Sequence, residues 1–232
     1  MEYNDIGISR QLDWHRIKKL LTIGLAASVL HLIGDVILGW GMEDESLTGL
    51  ARMLSAYTGT SDGGIFVASL LGLFGVTLEG LSYFGIYRLM AERSPECAHS
   101  YRTGIFGYVI FCGCGFHVPI CALTFLAKHG LEETLLHQYA GYFLTPALVL
   151  FGIFFLVLAA AQIKAFAKGF TPYPKWCWVF SLPVGMLAAM VLGQLGNTPI
   201  CNTLSCAWIA IGNLWMFGGL LAAMKCCKAK AG

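Results

Sequence analysis

Six long apolar runs, separated by polar or Gly/Pro-containing joints, set the pattern of the chain, at about 17–41, 64–90, 103–127, 139–163, 176–195 and 204–224. A helix needs about 20 apolar residues to cross a hydrocarbon layer about 30 Å thick, and each run meets that length. Joints such as Ser94-Pro95 and Thr171-Pro172-Tyr173-Pro174 carry the residues that end helices. The pattern predicts an all-α, polytopic transmembrane helical bundle of six spans, and residues 1–232 read as a single integral membrane domain with no internal repeat. Basic residues precede the first run, as in a signal peptide. It is too long for one and no small-x-small step follows, so it reads as a retained span.

Composition agrees. The chain is 57% hydrophobic and only 12% charged, with a mean hydropathy of +0.68, against about 25% charged residues in a soluble domain. Of its 15 Lys and Arg residues, only Arg52 and Lys128 fall on one side of the six-span layout. Because positive residues are retained in the cytoplasm, both termini are expected there, in a multi-pass protein of the cell membrane (N-in/C-in). Trp14, Trp40, Trp176 and Trp178 stand near span ends, where amphipathic rings favour the interface. With no basic tract, nucleic acid is excluded as a partner, and the lipid bilayer is the expected one.

The connection Met42 to Gly63 begins with Glu43, Asp44 and Glu45, then sets Leu47, Leu50 and Leu54 at helical spacing. Acids first and an apolar stripe afterwards predict a short helix on the membrane surface, either a lid over a cavity or an ordinary interfacial segment.

The candidate chemistry lies inside the runs. The first holds His31 and Asp35, the second Glu79, the third His117 and the sixth Asn213. At about 1.5 Å per residue all five fall near one depth, with Asp35 up to a turn further out. A carboxylate there costs about 2.5–3.5 kcal/mol on insertion scales, so it must face the bundle interior and find a partner. His31 and Asp35, four apart, share a helix face. Ser82 and Tyr83 follow Glu79 at positions that offer local hydroxyls, and Cys114 and Cys121 flank His117. Pro119 removes a backbone donor just after His117, and Gly113 and Gly115 permit close helix approach, which together favour a kinked, closely packed helix.

Three functions fit this inventory. An intramembrane enzyme would use His31, Asp35, Glu79 and His117 as acid and base on a lipid or other apolar small molecule, with Tyr83, Asn213 and Trp215 contacting substrate. The same four could hold a divalent metal, but there is no HxxxH or HExxH spacing, and spacing alone names no metal or cofactor. A small-molecule or ion transporter, completed by a homo-oligomer, and a purely structural packing network are the alternatives. Cys201 and Cys206 lie in one connection, with a disulfide or a packing role for Cys206 both open.

Gly34-Asp35-Val36-Ile37-Leu38 resembles the glycine–aspartate step of lysoplasmalogenase-type membrane hydrolases, and the polar inventory is similar to that of emopamil-binding sterol isomerases. The second intramembrane aspartate of the first family is missing here, and the order of polar residues differs from the second. No catalytic role is carried over from either.

Overall fold

The computed structural model describes residues 12–228. Every regular element among them is helical. In chain order they are α1 (Trp14–Gly39), α2 (Gly49–Thr58), α3 (Asp62–Ala91), α4 (Pro95–Tyr108), α5 (Val118–Lys128), α6 (Glu133–Tyr139), α7 (Thr145–Ala167), α8 (Leu182–Gly193), α9 (Pro199–Cys206) and α10 (Trp208–Lys228).

Among the described residues five continuous helices are long and apolar enough to cross a membrane: 14–39, 62–91, 95–128, 133–167 and 208–227. The fifth apolar run of the sequence is not one of them. It divides into a 3-10 turn, Lys175–Phe180, and the 12-residue α8, about 18 Å of helix against a layer of about 30 Å. Pro183 stands in the first turn of α8, where its missing N–H has no helical partner to lose. The last run divides at Ala207, which caps α9 ahead of α10.

Both other intrahelical prolines follow a widened turn. The third long helix is π-helical over Val109–His117, where the Val118 N–H reaches back to the Gly113 carbonyl, one residue before Pro119. The fourth is π-helical over Ala140–Leu144, with the Thr145 N–H on the Ala140 carbonyl ahead of Pro146. Shifting to i→i−5 bonding lets the helix continue past a residue that donates nothing.

α1 and α3 run antiparallel and in close contact. A Cβ on Gly85 would meet Leu20 at one end, one on Gly75 would meet the His31 backbone at 3.0 Å, and the Thr60 hydroxyl donates to the Ile37 carbonyl (3.1 Å) at the other end. α4 packs on α7, and α10 on α1 and α8. The buried core between them is aromatic: Tyr83, Tyr101, Tyr108, Phe166 and Phe217 are fully enclosed. Large apolar side chains, Phe66, Phe74, Leu81, Leu156 and Leu187 among them, stay exposed on the outside of the bundle, which suits a lipid solvent.

Ion pairs stand at both ends of the bundle. Near the start of α1, Lys164 faces Glu96 (3.7 Å) and Arg93 donates to the Thr171 carbonyl (3.3 Å). At the opposite end Lys128 clasps Asp62 (2.9 Å) and the Thr60 carbonyl (2.6 Å).

The surface helix of the Met42–Gly63 connection forms, but later than its acids. Asp44 folds onto the Ser46 N–H (2.9 Å), and Glu43 pairs with Arg52 at 2.6 Å, so the chain turns before Gly49, whose φ of +58° leads into α2. Leu47 therefore lies outside the helix and exposed, while Leu54 is buried. Cys201 and Cys206 are both free thiols, at the third and last positions of α9.

Candidate functional site

Two positions on α1 begin the site. His31 and Asp35, one turn apart, lie two turns and one turn before the helix ends at Gly39. The His31 Nε2 is 3.5 Å from Asp35 Oδ2. Its other ring nitrogen, Nδ1, faces Glu79 of α3, 3.2 Å from Oε2 and 3.4 Å from Oε1. The antiparallel register of α1 and α3 creates this meeting, and Gly75 lets the two backbones close on each other at His31.

His117 arrives from the end of the π-helical stretch. Its Nδ1 is 3.6 Å from Asp35 Oδ1, and its Nε2 donates to the Ala68 carbonyl at 3.1 Å. Gly72 makes the room, since a Cβ there would fall inside the imidazole ring. The His31 and His117 rings meet edge to face with centroids 5.3 Å apart. All four ionisable groups are buried: His31 is 2% exposed, Asp35 3%, Glu79 0% and His117 5%.

A second, neutral arm runs away from Glu79. Tyr108, the last residue of α4, donates to Glu79 Oε2 at 2.7 Å. The Asn213 Nδ2 of α10 donates to the Tyr108 hydroxyl at 2.8 Å, and the Tyr83 hydroxyl of α3 donates to Asn213 Oδ1 at 2.6 Å. Every donor in this arm points toward Glu79. The result is one continuous polar run through four of the long helices: Tyr83, Asn213, Tyr108, Glu79, His31, Asp35, His117.

Of the residues singled out by sequence, His31, Asp35, Glu79, His117, Tyr83 and Asn213 come together. Trp215 does not join them: it is 45% exposed, donates to the Val179 carbonyl at 2.7 Å and packs on Phe180. The expected local partners of Glu79 are also replaced. Ser82 turns back on the Leu78 carbonyl, and Tyr83 reaches Asn213 instead. Cys114 is exposed, because the π-helical turn rotates it off the face of His117, whereas Cys121 is buried. Tyr108 was not among the expected residues. At the sixth place of the third apolar run it reads as an interfacial ring. Its role depends on α4 packing against α3, which no local spacing reports.

At the end of the bundle nearer Asp35, a cleft of about 450 Å³ opens between the end of α1 and α2, lined by Ile37, Trp40, Gly41, Met42, Ser55, Ala56, Gly59 and Thr60. Next to it Tyr57 of α2 lies beside Cys206. That thiol, with burial, holds the Tyr57 phenol well above its ordinary value of 10.

A family model matches residues 1–227, almost the entire chain. The chain belongs to the Family of unknown function (DUF6796). In this DUF6796 protein the match takes in every helix that builds the polar run. No curated protein and no solved structure matches it, so neither family resembled by the Gly34–Leu38 step or the polar inventory is among its matches.

Proposed function

We propose that this protein is an intramembrane enzyme acting on a lipid or another apolar or amphipathic small molecule, by acid–base or metal-assisted chemistry. One observation carries the reading: His31 bridges two carboxylates, and a second histidine meets one of them, all within the buried interior. Packing alone is served by the neutral Tyr83–Asn213–Tyr108 arm, which already ties α3, α4 and α10 together. Ionisable groups at this depth cost far more than neutral ones, so function is the economical explanation for them.

The roles follow from the donors. Glu79 receives Tyr108 and His31 and so orients the imidazole, while Asn213 aims the Tyr108 hydroxyl. In the acid–base form, Asp35, nearer the cleft, is the proton acceptor and His31 the group that relays or returns the proton; in the metal-assisted form both would serve as ligands. Substrate enters from the bilayer side of the cleft beside α2. The topology that goes with this reading has six crossings, the fifth made by the 3-10 turn and α8 together, with the basic end and both termini in the cytoplasm and the protein in the cell membrane.

The test is turnover by the full chain reconstituted in liposomes that contain a total lipid extract, with products followed by mass spectrometry. The wild type converts at least one lipid, and Asp35→Asn or His117→Gln lowers the rate by about 10²-fold or more. Conversion by none of the proteins, or equal conversion by all, would refute the proposal. The continuous donor run from Tyr83 to Glu79 favours a second reading, proton-coupled transport. Its sign would be pH-dependent uptake into the same liposomes, lost in Asp35→Asn and Glu79→Gln, with no lipid consumed.

A further inference from the structure

With both imidazoles neutral, the hydrogen-bond accounting around Asp35 does not close. The Ala68 carbonyl only accepts, so the His117 nitrogen facing it, Nε2, carries the proton. Glu79, already the end point of the Tyr108 donor, takes the proton of His31 Nδ1. Both histidines thus spend an N–H outward, away from Asp35. What they turn inward, His31 Nε2 and His117 Nδ1, are the nitrogens that flank the two oxygens of one carboxylate. In the neutral rings these are lone pairs. Three electron-rich groups then face one another, and either an added proton or a metal ion must stand between them.

Distances distinguish a proton from a larger ion. A charge-assisted N–H···O bond brings its heavy atoms to about 2.7–2.9 Å. The observed separations are 3.5 and 3.6 Å, long for that bond. Each is close to the nitrogen–oxygen edge of a coordination tetrahedron, about 3.4 Å for metal–nitrogen and metal–oxygen bonds of about 2.0–2.2 Å, with Oδ2 of Asp35 toward His31 and Oδ1 toward His117. One ligand atom from each of His31, Asp35 and His117 lies within 4.8 Å of the others, and all three residues are buried. The outward bonds complete the pattern. A metal-ligating histidine characteristically gives its second N–H to a carboxylate or a backbone carbonyl, which fixes tautomer and ring orientation. Here His31 gives its to Glu79 and His117 gives its to Ala68.

We infer that His31 Nε2, His117 Nδ1 and the Asp35 carboxylate form a binding site for one divalent first-row transition-metal ion of the zinc type, with Glu79 and the Ala68 carbonyl orienting the two rings. Two imidazoles and one carboxylate disfavour Ca²⁺ and Mg²⁺, which take oxygen ligands. Three protein ligands leave a fourth position open, the arrangement of sites that do chemistry rather than those that only hold structure. The site is separate from the question of turnover: metal bound without any lipid conversion would count against the enzyme alone, and lipid conversion by a protein that takes up neither Co²⁺ nor Zn²⁺ would count against the metal alone.

The experiment uses the purified full chain in detergent. Metal content is measured by elemental analysis after dialysis, and the chelator-treated protein is then titrated with Co²⁺, whose visible absorption reports four- or five-coordinate N/O sites, and with Zn²⁺ in competition. Wild type binds close to one equivalent of Co²⁺ and releases it to Zn²⁺, and a large excess of Mg²⁺ or Ca²⁺ has no effect. Asp35→Asn, close to isosteric, and His117→Gln abolish the absorption, while Glu79→Gln retains it with an affinity about 10- to 100-fold weaker. A wild type that takes up no Co²⁺ or Zn²⁺ overturns the inference, whatever the variants do. So does uptake left unchanged in both Asp35→Asn and His117→Gln.

Discussion

Replacing Gly72 by alanine adds one methyl group and removes no chemistry, yet it should undo half of the site. The new Cβ would occupy the space of the His117 imidazole, so the ring must leave its place between Ala68 and Asp35. Overpacking of this kind costs about 1–3 kcal/mol. Losing the His117 bond to the Ala68 carbonyl adds about 1 kcal/mol on the scale of buried hydrogen bonds between membrane helices. The better helix propensity of alanine returns about 1 kcal/mol. The net expectation is a loss of about 1–3 kcal/mol, read by thermal unfolding in detergent, together with loss of Co²⁺ binding. Gly152→Ala is the matched control, since nothing stands within 4 Å of a Cβ at that position on α7. It should be neutral or stabilising by up to about 1 kcal/mol, with the metal site intact. If Gly72→Ala melts at or above the wild type and still binds Co²⁺, His117 does not lie against α3 as described and the site is wrongly built.

Tyr108→Phe removes the donor to Glu79 and leaves Asn213 Nδ2 without its acceptor; a loss of about 1–2 kcal/mol in unfolding free energy is expected, and an unchanged melting curve would mean the neutral arm is not formed. Trp215→Phe loses only a half-exposed bond to Val179, so metal binding should stay within experimental error and stability should fall by less than about 1 kcal/mol; loss of the metal would show that α10 shapes the site through this ring. Outside the spans, hydrogen bonds from the Ser46 hydroxyl and N–H hold the Asp44 carboxyl below its ordinary value of 3.8. A depressed carboxyl stabilises the fold above its unfolded value, and that contribution is lost as pH falls through the folded one. Ser46→Ala should move the Asp44 titration upward by NMR, and no movement would refute the turn.

Much of the bundle was legible because lipid imposes long apolar runs, and each of the five long helices overlaps one of them, although the third and fourth begin at 95 and 133 rather than near 103 and 139. The division of the fifth run was hidden, since Pro183 reads equally well as a kink inside a helix or as the first turn of one. In the site, cost did the work: His31, Asp35, Glu79, His117 and Asn213 stood out because lipid penalises them, and they converge. Tyr83 was named for the wrong neighbour, and Tyr108 was missed, because their partners depend on helix pairing rather than on spacing. The same holds for Gly72 and the Ala68 carbonyl, which are chemically silent in a sequence and decisive in the packed structure.

The claim on which the rest depends is that the two histidines turn opposite ring nitrogens toward Asp35. Nitrogen-15 NMR of histidine-labelled protein in bilayers reads this directly, before and after addition of Zn²⁺. The account expects a persistent proton on His31 Nδ1 and on His117 Nε2 in both states, with Zn²⁺ shifting only His31 Nε2 and His117 Nδ1. A proton found instead on His117 Nδ1, or a Zn²⁺ response at the outward nitrogens, would contradict it.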